Sequence, residues 1–299
     1  HTHTRSPDFV GFSVEVPTVL GLIGPDGKNP SFINLVNLLR TDINSSGPWI
    51  RVGGNSADES YTPSPGAPTP PSGTHSVNST WWKAMVNFHE ATNTSFVFGF
   101  SMAGVPGTPS MQWGIAEVKS LVASIGVGNG SPLKLLEVGN ENDLFAENGI
   151  RPESYSYADY AKGFGEYVDA AVAAGATKGL IQGATFCCKG DFVTQIPNYV
   201  EQYKGDIETV SLHRYPTSTC SGKSVDMSSL LMPEACSGAA AVYTDEIKSV
   251  ISQGKTFVMG EGNSASCGGQ EGVSNTLGAA LWSLDYMMGF AQLSTARVN

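Results

Sequence analysis

Strand-like and helix-like segments alternate along almost the whole chain, and this alternation restricts the possible folds more than any other feature. Residues 9–16 (FVGFSVEV) alternate apolar and polar with period two, and 32–39 then take helical spacing. The short apolar runs 49–52 (WIRV) and 96–100 (FVFGF) read as buried strands, separated by a loop over 61–76 dense in Pro, Gly and Ser and by a helix from about Thr80. Further along, helices are expected over 112–125, 155–174, 191–203, 239–252 and 273–287. Strands are expected over 133–138, 180–185, 209–212, 256–259 and 290–298. Eight such βα units imply a parallel sheet with right-handed crossovers, closed as an α/β (β/α)8 TIM barrel that occupies 1–299 as one domain. The alternative, a doubly wound open sheet that binds a nucleotide, lacks its GxGxxG fingerprint: the spacing in Gly21–Gly24 is wrong and Pro25 follows.

With 299 residues, 40% of them hydrophobic, the chain can bury a large core. A net charge of -10 argues against nucleic acid or any other polyanion as partner. No apolar run reaches the roughly 18 residues of a membrane helix. The chain opens on His1, so a processed form is expected, with His1 and His3 read as terminal residues and not as metal ligands. Asn44, Asn78, Asn93 and Asn129 each start an Asn-x-Ser/Thr sequon, and five cysteines are present. Both features point to secretion. Cys220 and Cys236 bracket a Ser/Gly/Pro-rich loop and are expected to pair; no CxxC spacing suggests zinc.

Barrel active sites lie at the C-terminal strand ends. There the sequence places Ser13 and Glu15 (first strand), Arg51, Asn55 and Asp58 (second), Asn140 and Glu141 (fourth), His213 and Tyr215 (sixth) and Glu261 (seventh). Carboxylates, amides and a phenol suit a polyhydroxylated substrate better than a phosphorylated one. Glutamates on strands four and seven face each other across a barrel mouth, as glycoside hydrolysis requires of its acid and its second carboxylate. Tyr215 is placed to hydrogen-bond the ionised partner and Asn140 to hold a sugar 2-hydroxyl. Simpler readings apply to the neighbours. An Asn-Glu pair arises about once by chance in a chain of this length. Glu137 belongs to the barrel interior, and Arg51 reads as a structural ion-pair partner. Glu90, Glu117, Glu166 and Glu201 fall on solvated helix faces, and His213 is either a core residue or a site residue.

Taken together, FVGFSVE (9–15), WIRVGGNSADES (49–60), LLEVGNEND (135–143), SLHRYP (211–216) and MGEGNSASCGG (259–269) resemble glycoside hydrolase family 79, the β-glucuronidase and heparanase family, and its fungal β-glucuronidase branch most closely. The resemblance implies a retaining enzyme without cofactor or metal, with Glu141 as acid/base and Glu261 as nucleophile. It implies that Asn140 holds the 2-hydroxyl, that Tyr215 touches the nucleophile or the sugar, and that Glu15, Asn55 and Asp58 bind sugar hydroxyls. Backbone N–H groups of Gly268 and Gly269 would take the uronate carboxylate. Two departures stand out. Ser266 occupies a position where heparanase-like sequences carry tyrosine, and the family's C-terminal β-sandwich is missing after Asn299. The isolated chain is therefore expected to close its barrel weakly and to have a separate C-terminal fragment as partner. The expected activity is exo-acting release of terminal glucuronate or its 4-O-methyl ether from glycans. The alternatives are an endo-acting heparanase-like enzyme, which the charge disfavours, and an inactive carbohydrate-binding barrel.

Overall fold

The computed structural model describes residues 8–40, 45–64, 75–128 and 130–299. The expected TIM barrel is present. Its eight parallel strands are β1 (Phe12–Glu15), β2 (Ile50–Gly53), β3 (Phe96–Phe100), β4 (Leu133–Val138), β5 (Ile181–Phe186), β6 (Thr209–Arg214), β7 (Thr256–Gly262) and β8 (Arg297–Val298), each bonded to the next in sequence. A parallel bridge between Val10 and Val298, with Gly11 N and Val298 N donating to Val298 O and Phe9 O at 2.9 Å, joins the last strand to the first. The Arg297 guanidinium also stacks on Trp49, 3.7 Å from the ring centre.

A main helix lies between each successive pair of strands: α1 (Pro30–Leu38), α2 (Ser79–Thr92), α3 (Gln112–Ile125), α4 (Tyr157–Ala173), α5 (Ile196–Tyr203), α6 (Thr244–Ser252) and α7 (Leu277–Gln292), with shorter helical turns beside some of them. Their starts follow from local chemistry. Asn29 accepts from Ser31 N at 3.1 Å ahead of Pro30, and Ser156 with Asp159 forms a capping box on α4. Pro197 breaks the single helix expected over 191–203 into Gly190–Val193 and α5, because proline has no N–H to continue a preceding turn. The last strand is also shorter than expected. Phe290–Gln292 finish α7, and only Arg297–Val298 extend, since periodicity cannot assign so short an apolar run to strand or helix.

Behind β5 an aromatic cluster fills the helix–sheet layer. Ring centres lie 4.8 Å apart for Tyr160–Phe186, 4.9 Å for Phe164–Tyr203 and 5.4 Å for Phe186–Phe192. Gly183 permits this packing, since a Cβ there would meet Tyr199 Oη at 2.0 Å and Phe164 at 2.6 Å. The cluster makes β5 a rigid wall for the site above it. Glu117 corrects the expectation of a solvated face. It is fully buried on α3, accepting from Ser60 Oγ at 2.6 Å and Ser101 N at 3.0 Å.

The cysteine expectation is corrected too. Cys220 pairs with Cys267, not with Cys236, and Cys187 pairs with its neighbour Cys188. Cys236 is a buried free thiol. A short parallel ribbon, Thr217–Ser218 against Ala265–Ser266, brings Cys220 to Cys267, a long-range approach that loop composition does not reveal. Sequons Asn78 and Asn93 are exposed, whereas Asn44, Asn129, His1 and His3 lie outside the described residues. Among the described residues no helix is long and apolar enough to cross a membrane.

Candidate active site

The site forms where β2, β4, β6 and β7 open at their C-terminal ends. A cleft of about 810 Å³ there is lined by Glu15, Asn55, Glu141, Tyr215, Glu261 and Gly268 among the residues predicted from sequence. Asn140 lies just beneath, 3% exposed.

Glu261, on β7, is held by three groups. Its Oε1 accepts from the Tyr215 hydroxyl at 2.5 Å, its Oε2 accepts from Arg51 Nη1 at 2.5 Å, and His213 Nδ1 is 3.8 Å from Oε2. Burial alone would raise its pKa, but His213, Arg51 and the Tyr215 bond overrule it and hold the carboxyl at about 2. Burial likewise opposes charge on His213, yet Glu261 and the hydrogen bond to Glu141 outweigh it and Arg51, so its pKa is raised. Burial raises the pKa of Tyr215, and Glu261 beside it raises it further, so the phenol remains a donor.

Arg51 connects this site to the barrel interior. Fully buried, it donates from Nε to Glu137 Oε1 at 2.7 Å, from Nη2 to Asn140 Oδ1 at 2.7 Å and from Nη1 to Ser13 Oγ at 3.0 Å. Burial acts against its charge, but Glu137 and Glu261 raise its pKa above the ordinary value. Glu137 also accepts from Gln182 Nε2 at 2.5 Å, which keeps it in the barrel as expected.

Glu141 sits just past β4 with φ 44°, a left-handed conformation uncommon for a non-glycine residue. Gly139, at φ 69°, makes the turn that precedes it; a Cβ there would meet Asn142 Nδ2 at 2.4 Å. Glu141 Oε1 is 3.0 Å from His213 Nδ1. One oxygen of Glu141, one oxygen of Glu261 and a nitrogen of His213 all lie within 4.8 Å of one another. A metal ion could use three such atoms only by displacing Arg51 from Glu261 and the proton from His213, so the cluster reads as an ion-paired network.

The other predicted residues differ in their positions. Asn55 Oδ1 accepts from Asn140 Nδ2 at 3.0 Å, and Glu15 accepts from Ser56 N at 3.0 Å and from Ser56 Oγ. Asp58 lies outside the cleft lining. It is buried behind Asn140, accepting from Asn140 N at 2.8 Å and Met102 N at 2.6 Å, and burial raises its pKa to about 7 against those bonds. Cys267, Gly268 and Gly269 are three successive left-handed residues, of which Gly269 does not line the cleft. Sequence reasoning left His213 open and gave Arg51 a structural role only. Strand alternation offered a signal for the first, because residues two apart share a face and Tyr215 was already placed on it.

Fold and site together define a (β/α)8 barrel with paired carboxylates across its mouth. No family model matches the chain. A β-glucuronidase of Neurospora crassa is 26% identical over 97% of this chain and 56% of its own length. A β-glucuronidase of Aspergillus niger is also 26% identical, over 97% of this chain and 57% of its own length. The chain thus spans little more than half the length of these curated relatives. Among solved structures, a 4-O-α-L-rhamnosyl-β-D-glucuronidase from Fusarium oxysporum 12S superposes with TM-score 0.75 at 20% identity, over 98% of this chain and 62% of that one. A family 51 α-L-arabinofuranosidase from Bifidobacterium longum superposes with TM-score 0.59 at 15% identity, over 99% of this chain and 66% of that one. At these identities the structural likenesses establish the barrel architecture.

Proposed function

We propose that the chain is the catalytic barrel of a secreted family 79 β-glucuronidase that removes terminal β-linked glucuronic acid, with or without a 4-O-methyl group, with retention of configuration. One observation carries this reading: two glutamates lie across the barrel mouth in unequal environments, with oxygens within 4.8 Å of each other. Retaining glycosidases hold their carboxyl groups about 5–5.5 Å apart, and inverting ones leave a wider gap for water. Glu261, kept ionised by Arg51, His213 and Tyr215, attacks the anomeric carbon. Glu141, whose Oε2 has no partner among the described residues, protonates the departing oxygen and then takes a proton from the attacking water. Asn140, fixed by Arg51, Asp58 and Asn55, faces the 2-hydroxyl, while Glu15 and Asn55 meet other hydroxyls. Backbone N–H groups around Gly268 take the uronate carboxylate. The two β-glucuronidase relatives support the glucuronide substrate, the two disulfides suit an oxidising compartment, and the net charge of -10 favours exo action over cutting within a polyanion.

Glu261→Gln tests the assignment. Turnover of an aryl β-glucuronide should fall by about 10⁴-fold or more while the substrate still binds. Unchanged turnover would sink the reaction, and activity confined to aryl β-glucosides or β-xylosides would sink the glucuronide.

A further inference from the structure

Charged groups hold Glu261 in place, whereas backbone bonds hold the loop that carries Glu141. Glu141 N donates to Thr185 O at 3.1 Å. Two residues beyond Glu141, Asp143 is 1% exposed, and its carboxylate gathers three consecutive N–H groups from the loop after β5: Cys187 N at 3.2 Å, Cys188 N at 2.8 Å and Lys189 N at 2.9 Å. The three successive donors come from one turn, and the disulfide between Cys187 and Cys188 closes that turn covalently. The Tyr243 hydroxyl lies 2.9 Å from both Cys187 O and His213 O, tying the turn to the strand that carries His213. The connected segments are strained: Glu141, Ala184 and Thr185 have φ of 44°, 72° and 56°. Such conformations persist where surrounding contacts enforce them. Cys187 and Cys188 also line the cleft beside Glu141.

We propose that Asp143 and the Cys187–Cys188 turn form the positioning element of the acid/base. They fix the Glu141 carboxyl against the leaving-group oxygen and form the wall on which the leaving group rests. This rests on the reading of Glu141 given above. Asp143 touches neither substrate nor reacting atom; it acts through the loop. The element therefore matters most where the departing oxygen needs a proton.

The test uses the full chain with Asp143→Asn and, separately, the double substitution Cys187→Ala/Cys188→Ala. Each is assayed on an alkyl β-glucuronide, whose leaving group needs protonation, and on 2,4-dinitrophenyl β-glucuronide, whose leaving group does not. On the alkyl substrate kcat/KM should fall by about 10²-fold. That loss should exceed the loss on the dinitrophenyl substrate by about tenfold or more, a milder form of the pattern expected for Glu141→Ala. Equal losses on both substrates, or no loss on either, overturn the proposal. If Asp143→Asn does not fold, the cysteine pair decides by the same comparison. Glu261→Gln keeps the two readings apart. Retained turnover in that variant defeats the reaction itself. Lost turnover there, without leaving-group dependence in the other variants, defeats only the positioning element.

Discussion

Two carboxyl groups in this barrel, one buried and one half-buried, are perturbed in opposite directions. Glu117, between α3 and β3, has only the neutral donors Ser60 and Ser101 among the described residues, and burial lifts its pKa to about 8. Glu261, half-buried at the cleft, stands at about 2 because His213 and Arg51 bring positive charge to it. Burial carries a penalty for charge at both sites, and at Glu261 the two cations and the Tyr215 bond reverse the sign. One fold thus holds one carboxyl protonated and another ionised at neutral pH.

The largest effect should come from removing the cation. Arg51→Met removes the guanidinium and leaves Glu137 and Glu261 without their shared partner. A loss of about 3–5 kcal/mol in urea unfolding is expected, partly recovered by adding Glu137→Gln. An unchanged urea midpoint would remove Arg51 from its central place. Tyr215→Phe is a smaller change on the same side. It deletes one bond to a charged acceptor, a loss of about 1.5–3 kcal/mol, so turnover should drop roughly ten- to a hundredfold. Glu261 then titrates above its present value, and the acid limb of the pH–rate profile should move to higher pH; a limb that stays in place would show that the phenol does not tune Glu261.

The remaining effect lies in the region without a cation and appears as a pH dependence of stability. Glu117 and Asp58 hold protons in the folded state up to about 8 and about 7, whereas unfolded carboxyls near their ordinary values of 4.5 and 3.8 release them. Both groups therefore favour the fold fully below the unfolded values and lose that contribution as pH rises through the folded ones. Thermal midpoints should fall between pH 5 and pH 8, a window set by those values. Glu117→Gln should flatten the fall. An equal fall in the variant would assign the effect elsewhere.

The strand ends, and with them Glu141, Glu261 and Tyr215, were legible because each lies beside its own apolar run. The network among them was not. Arg51 reaches Glu137 over 86 residues and Glu261 over 210, and only barrel closure shows that one guanidinium serves both. The same limit explains Asp58, for which the family resemblance implied a sugar contact and whose carboxylate accepts from two backbone N–H groups. It explains Glu117 as well, since helical periodicity gives no warning of a carboxyl on the inner face. The disulfide error has a related origin: Cys267 approaches Cys220 through a parallel ribbon, and nearest-neighbour loop logic favours Cys236.

The seam between β1 and β8 has a consequence for the order in which the molecule comes apart. Neighbouring strands elsewhere in the barrel share ladders of two to six residue pairs, whereas this junction has one bridge and two flanking bonds. Opening there separates the first and last strands while leaving every other ladder intact, so it is the least expensive sub-global excursion of the barrel. The amides of Gly11 and Val298 should exchange with solvent ahead of those in β3 and β7. Their protection factors would measure, residue by residue, how often the ring is open.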